Sequence, residues 1–142
     1  MSFIYNSRGR SDCPRRVFIA VPMGDGKAFA NTIACLLSAE MALHEAGWAM
    51  DCAIEANNCH VDDARNSLER EFRKSDCDKM LFIDADVGFR DEDLVRIVSH
   101  DRDIVAGVYP KKTDKTEFPV YLPRGVLPAE PDGLLEVERA PT

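Results

Sequence analysis

The sequence has no basic surplus. Its 25 acidic residues outnumber 18 lysines and arginines, for a formal net charge of −7. That balance argues against a nucleic-acid binder that works by neutralising phosphates, although local basic clusters can still meet a phosphorylated small molecule. Ordered cysteine pairs are missing too. Cys13, Cys35, Cys52, Cys59 and Cys77 are an odd, scattered set without a CxxC, so neither a disulfide scaffold nor a cysteine zinc site is expected. Several sit inside apolar patterns, where a free thiol acts as a small hydrophobe. His44, His60 and His100 share no ligand spacing. The opening stretch, MSFIYNSRGRSDCPRR, lacks the apolar block of a signal peptide. Asn31, Thr32, Ser38 and Glu40 interrupt the best apolar run, so no membrane span is expected. Internal repeats and low-complexity tracts are absent as well. Together these absences lead to the expectation of a cytoplasmic protein with reduced thiols.

What is present suits a globular fold. The chain has 142 residues, of which 45% are hydrophobic and 30% charged, enough for one domain with a real core. Residues 1–16 read as a flexible N-terminal arm and residues 17–142 as a single domain. Val17–Pro22, VFIAVP, is a continuous apolar run that suits a strand buried on both faces. The glycine-punctuated MGDGK follows as a loop. From Phe29 to about Gly47, Phe29, Ile33, Leu37 and Met41 recur every four residues, Leu36 and Leu43 widen the stripe, and the expectation is a helix with that stripe inward. WAMDCAIEA reads as a second strand. A second helix runs from Val61 to about Lys74, with Val61, Ala64, Leu68 and Phe72 inward. KMLFI is a third strand, and a short helix near Asp91 carries Leu94, Ile97 and Val98. DIVAGVY, Asp103 to Tyr109, reads as a fourth strand. Alternating strands and helices predict an α/β fold, a mostly parallel sheet flanked by helices. After Tyr109 come most of the eight prolines, and FPVYL and LLEVE read as a β-ribbon. The chain stops at ERAPT, directly after a strand-like segment, and the expectation is an end truncated within the domain. A truncated sheet leaves an edge on which a second copy of the chain could assemble.

The stretch KMLFIDADVGF, Lys79 to Phe89, carries the most chemistry. An apolar run ends in Asp84 and Asp86, which in an extended strand project to one face while Ala85 turns away. At the carboxyl end of a parallel strand they sit where open α/β sheets bind ligands. Two neighbouring carboxylates repel and lose solvation, so a positive partner should offset the cost. A hard divalent cation, Mn²⁺ or Mg²⁺, prefers such oxygen ligands and leaves positions for water and phosphate oxygens. The blander alternative stands beside it: aspartate often opens a turn after a strand, and Gly88 favours one here.

SDCDKMLFIDADVGF, preceded by DDARNSL and followed by DIVAGVYPKK, resembles the GT-A-fold glycosyltransferases, in particular the bacterial and phage enzymes similar to family 2. The resemblance spans roughly residues 17–112 and implies a Rossmann-like nucleotide-binding half. It implies transfer of a sugar, of the hexosyltransferase type, from a nucleoside-diphosphate sugar to an acceptor that the residues do not identify. Asp84 would lie near the ribose or metal, and Asp86 would be the more direct ligand of Mn²⁺ or Mg²⁺. Arg65 and Asn66 match the family's Ala-Arg-Asn element and would border the nucleotide. Pro22 would end the first strand at the base-and-ribose loop. The chain departs from the family in two places. MGDG stands where many relatives have an aromatic residue and asparagine, and the short tail after Asp86 shows neither a downstream histidine ligand nor a carboxylate base.

Weaker candidates complete the set. Glu55 ends the second strand, facing either the base and ribose or simply solvent. Arg65 is also spaced to pair with Glu69 on a solvated helix face. Lys111 and Lys112 follow the fourth strand, where they could meet a diphosphate or acceptor or remain a solvated pair. GDGK, Gly24 to Lys27, does not meet the Walker pattern and reads as a plain connection. Two further readings stay open: a catalytically incomplete nucleotide-binding module, and a phosphatase of the haloacid dehalogenase type. The latter places its Asp-x-Asp on the first core strand and normally continues to threonine, unlike the VGF found here.

Overall fold

The computed structural model describes residues 2–6 and 13–109. The chain divides into two units, Met1–Val105 and Ala106–Thr142; the elements, the core and the site below all lie in the first. The expected C-terminal ribbon, Lys111 and Lys112 fall outside the described residues.

Seven elements follow in order: β1 (Ser2–Asn6), β2 (Arg15–Met23), α1 (Ala30–Glu45), β3 (Trp48–Ala56), α2 (Val61–Lys74), β4 (Lys79–Phe82) and α3 (Asp91–Ser99). The strands form one mixed sheet in the order β1-β3-β2-β4. Both flanking pairs of β2 are parallel, with Val17 opposite Met50 on one side and Lys79 on the other. β1 pairs antiparallel with β3, Ser2 opposite Glu55 and Asn6 opposite Asp51. The sheet is therefore mostly parallel and the fold is α/β. Residues 1–16 are not wholly an arm, because Ser2–Asn6 and the start of β2 belong to the sheet. SFIYN holds three β-favouring apolar residues that the polar sequence after it obscures.

β2 explains why this order holds together. Val17 to Val21 are all buried, and their alternation sends side chains into two separate cores. Val17, Ile19, Val21 and Met23 pack with Leu36, Ala39 and Leu43 of α1 and with Leu94 and Val98 of α3. Phe18 and Ala20 pack with Ala53, Leu68 and Phe72 on the α2 side. One strand thus anchors helices on both faces, and an apolar run without polar interruptions is what that position requires.

α1 buries Leu36 and Leu43 as expected but corrects the rest of the stripe. Its buried residues are Thr32, Leu36, Ala39 and Leu43, whereas Leu37 and Met41 are 72% and 67% exposed. Geometry gives the reason. A helix turns about 100° per residue, so strict steps of four drift about 40° each and wind around the barrel of the helix. The true core stripe alternates steps of four and three and stays on one side. Val61, also expected inward, is exposed at the start of α2. The fourth predicted strand is absent: 103–109 form neither helix nor strand, and Ile104 is 87% exposed. Apolar composition alone does not make a strand when no ladder partner satisfies its backbone.

Polar contacts close the end of the sheet where the parallel strands begin. Arg16 and the buried Asp51 form an ion pair at 2.6 Å, and the Cys77 thiol donates to Asp51 at 3.6 Å. Burial strips solvation from the Arg16 guanidinium, but the charge and hydrogen bond of Asp51 together with Cys77 outweigh that loss and raise its pKa. Lys79 Nζ donates to the Val98 and His100 carbonyls at the end of α3, and lies 5.4 Å from the Trp48 ring. Cys52, between sheet and α1, is pushed up to about 11 by burial, which suits an inert thiol.

Two substitutions check this core. Leu43→Ala is expected to cost about 2–5 kcal/mol in urea unfolding, as a large buried side chain replaced by a cavity does. Ile104→Ala is expected to stay within about 0.5 kcal/mol. A core-sized loss at Ile104 would restore the missing fourth strand.

Candidate functional site

The site begins where β2 and β4 part. β2 runs on to Met23, but β4 ends at Phe82, with one further bond from the Ile83 N–H to the Ala20 carbonyl at 3.0 Å. In a parallel strand alternate residues address alternate neighbours. Ala20 addresses β4, so Pro22 has its nitrogen on the same side, where the ladder has already ended. Its missing N–H therefore costs nothing there, and the sheet opens into a groove. The groove also lies at a topological switch point. β3 is placed on one side of β2 and β4 on the other, with α1 and α2 on opposite faces, and such crevices are where open α/β sheets take ligands.

The groove holds about 760 Å³ and is lined by Pro22, Gly24, Asp25, Lys27, Ala28, Phe29, Val61, Arg65, Asp84, Ala85 and Asp86. That size suits a small-molecule cleft. A smaller one of about 490 Å³ lies between α1 and α3, away from the strand ends. Both α1 and α2 start at the larger groove, since Ala28 and Phe29 precede one and Val61 opens the other. Helix N-termini carry unsatisfied N–H groups and partial positive charge, which favour an anion.

Asp84 and Asp86 are not in a strand. The Val87 N–H donates to the Asp84 carbonyl at 3.1 Å, which makes Asp84 the first residue of a turn, a position aspartate favours. The turn reading is therefore correct as local structure. Both residues nonetheless line the groove, placed there by a turn and not by pleat alternation. Phe29 N–H donates to the Ala85 carbonyl at 2.9 Å, tying this turn to the start of α1. Gly88 packs so closely against the Asn31 side chain that a Cβ there would collide with it.

Arg65 turns toward this pair. Its Nη2 lies 3.2 Å from Asp84 Oδ1, with the two side chains 46% and 40% exposed. Its guanidinium also lies 5.4 Å from the Phe82 ring centroid, so the strand end props the cation in place. The helix-surface alternative for Arg65 does not form, because Glu69 accepts from Arg73 instead. Asn66 is exposed on α2 and is not among the lining residues. Glu55 is neither surface nor lining. It is 6% exposed, lies opposite Pro22 in the sheet and accepts from Ser67 Oγ at 3.3 Å.

The loop GDGK contributes more than its sequence suggests. Gly26 N–H reaches the Met23 carbonyl at 3.2 Å, and Asn57 N–H reaches the same carbonyl at 3.0 Å. Gly26 takes φ +73°, and a Cβ there would collide with the Asn57 side chain. Asp25 Oδ1 accepts from the Lys27 N–H at 3.1 Å. The turn presents Asp25 and Lys27 to the groove. Its signal in the sequence was position, directly after the first core strand, and not any match to a phosphate-binding pattern.

Among the described residues no group of three or more His, Cys, Asp or Glu side chains is arranged to hold a metal ion. Asp84 and Asp86, which line the same groove, offer only carboxylate oxygen. This set fits a hard divalent cation that takes its remaining ligands from water and phosphate, as Mg²⁺ commonly does with one or two carboxylates. Arg65 and Lys27 add positive charge beside them. The arrangement can receive an anion bearing several oxygens, with or without a cation between it and the aspartates. No family model, no curated protein and no solved structure matches the chain.

Proposed function

We propose that this chain binds a nucleoside-diphosphate sugar in the groove between β2 and β4, as the Rossmann-like nucleotide-binding half of a GT-A-type glycosyltransferase. The observation that carries the reading is the meeting of Asp84 and Asp86 with Arg65 and Lys27 at a switch-point crevice where two helices begin. A diphosphate matches that mixture of charges: its oxygens suit the cations and N–H groups, while a bridging cation suits the aspartates.

In this reading Asp86, exposed at the rim, and Asp84 would hold Mn²⁺ or Mg²⁺. Such a cation, when bound, supplies Lewis-acid stabilisation of the charge on a departing diphosphate. The chain's own groups do the rest. Arg65 and Lys27 donate to phosphate oxygens, the starts of α1 and α2 add dipolar attraction, and Pro22 forms the floor toward the base and ribose. An acceptor hydroxyl attacks the anomeric carbon, the bond from that carbon to the phosphate oxygen breaks, and the nucleoside diphosphate leaves with the electron pair. The hydroxyl proton passes to a general base. The acceptor, and the residue that takes this proton, are not assigned.

A second reading keeps the same groove without turnover, as a catalytically incomplete nucleotide-binding module. It is favoured by one specific feature: both assigned carboxylates are committed to the cation, and the other lining carboxylate, Asp25, already accepts a bond within its own turn.

Titration calorimetry with UDP and GDP, with and without Mn²⁺, tests the shared part. Binding is expected to depend on Mn²⁺, and Asp86→Ala is expected to weaken it at least about tenfold. Unchanged binding by Asp86→Ala would remove the cation assignment. Metal-dependent binding with neither hydrolysis nor transfer of any sugar donor would select the module.

Arg65→Gln offers an independent check. Nucleotide binding is expected to weaken by about tenfold, since a charge-assisted contact is lost. Its ion pair with Asp84 is half exposed and screened, so unfolding stability should change by less than about 1 kcal/mol. A large stability loss with unaltered binding would make Arg65 a structural residue.

A further inference from the structure

We propose that the outer face of α1, together with the adjoining face of β1, is the contact surface of a homodimer. From Ala30 to Ser38 this helix has no charged residue. Its outward positions are Ala30, Asn31, Ala34, Leu37, Ser38, Met41 and, in the last turn, Glu45, with Ile33 at the flank. α2 shows the ordinary alternative, since its exposed positions include Asp62, Asp63, Arg65, Arg70, Arg73 and Lys74. Phe3 and Tyr5 lie opposite Ile54 and Cys52, residues that pack on the α1 side, and paired residues share a face. Tyr5 Oη donates to Glu40 Oε1 at 3.2 Å, which joins the β1 side chains to the flank of α1.

Size and shape both point to a second copy as the occupant. The exposed parts of Phe3, Tyr5, Ile33, Leu37 and Met41 amount to roughly 570 Å² if each whole side chain presents about 200 Å². A standard interface takes about 800 Å² per partner, so neighbouring small residues complete it. The helix also complements itself. Ile33, Leu37 and Met41 form one row at steps of four, and Ala30, Ala34 and Ser38 form a row of small residues beside it. Two such helices crossing at about −50° place each large row in the other's small one, and a two-fold axis makes the fit reciprocal. Charge is confined to the margins of this face, at Glu45 in the last turn and at Asp91, which accepts from Ser38 Oγ at 2.7 Å, so its middle suits an apolar partner.

Sedimentation velocity on the full chain over a concentration series tests this. The wild type is expected to dimerise, and Leu37→Glu or Met41→Glu to raise the dimer Kd at least about 100-fold, because each change is counted twice across the axis. Ile104→Glu, at an exposed apolar position that belongs to neither α1 nor β1, should leave Kd unchanged. The urea midpoint of the diluted Leu37→Glu monomer should match that of the wild-type monomer. Because each copy carries a net charge of −7, raising salt from about 0.05 to about 0.5 M is expected to tighten the dimer by screening repulsion. A wild type that stays monomeric at every concentration overturns the proposal. So does a dimer that ignores Leu37→Glu and Met41→Glu, or one that salt dissociates.

Discussion

The constraint on which the structure depends is the position of β2 between two parallel neighbours. A strand so placed has no solvent face, and each of its side chains must enter one core or the other. Val17 to Val21 meet that demand. The same position has a topological consequence. When the chain places β3 on one side of β2 and β4 on the other, its helices must cover opposite faces, and the ends of β2 and β4 separate. Pro22 is tolerated because it faces the side where β4 has stopped. Core packing and the existence of a groove are therefore one fact seen at two levels.

The groove's electrostatics follow from that placement. Asp84 and Asp86 stand in one turn, and carboxylates so close would repel without nearby positive charge. Arg65 meets Asp84 from α2, and the starts of α1 and α2 face the same space. None of these groups is deeply buried, so no single pair dominates, and the site is a shallow field of mixed charge and not a locked ion pair. Such a field suits a ligand that brings its own charges in a fixed order. The proposed ligand, a diphosphate with a divalent cation, would have that order: anionic oxygens for Arg65 and Lys27, a cation for the aspartates.

Much of this was legible in the sequence, and the failures have identifiable causes. β2, β3, α2, β4 and α3 announced themselves by period and by length. Asp84 and Asp86 were recognisable as a pair, although a turn and not pleat alternation brings them together. β1 was missed because five residues beside a polar, basic stretch give little period to read. The 103–109 run was read as a strand because apolar composition resembles one, while pairing, which decides the matter, has no local signature. Asp25 and Lys27 were passed over because their loop lacks a phosphate-binding pattern, although its place after the first core strand already pointed to the groove. Glu55 was placed at the surface or the ligand, yet its bond to Ser67 and its burial beside Pro22 make it part of the wall behind the groove.

The misreading of α1 carries the most information. The expected inward stripe joins two rows, because apolar composition does not say that Leu36 and Leu43 face the sheet while Ile33, Leu37 and Met41 do not. Leu36, Ala39 and Leu43 supply one, and Ile33, Leu37 and Met41 supply another nearly as apolar. Only the alternation of four- and three-residue steps favours the first, since that spacing keeps pace with the helix while steps of four fall behind it. A helix with one apolar stripe needs one partner; a helix with two, and no charge between Ala30 and Ser38, has satisfied only half of its surface by packing on the sheet. The outer half exposes side chains whose transfer from water is favourable, on a helix next to the strand that ends the sheet. That imbalance is a property of α1 itself, and it holds whatever ligand the groove on the far side of Phe29 receives.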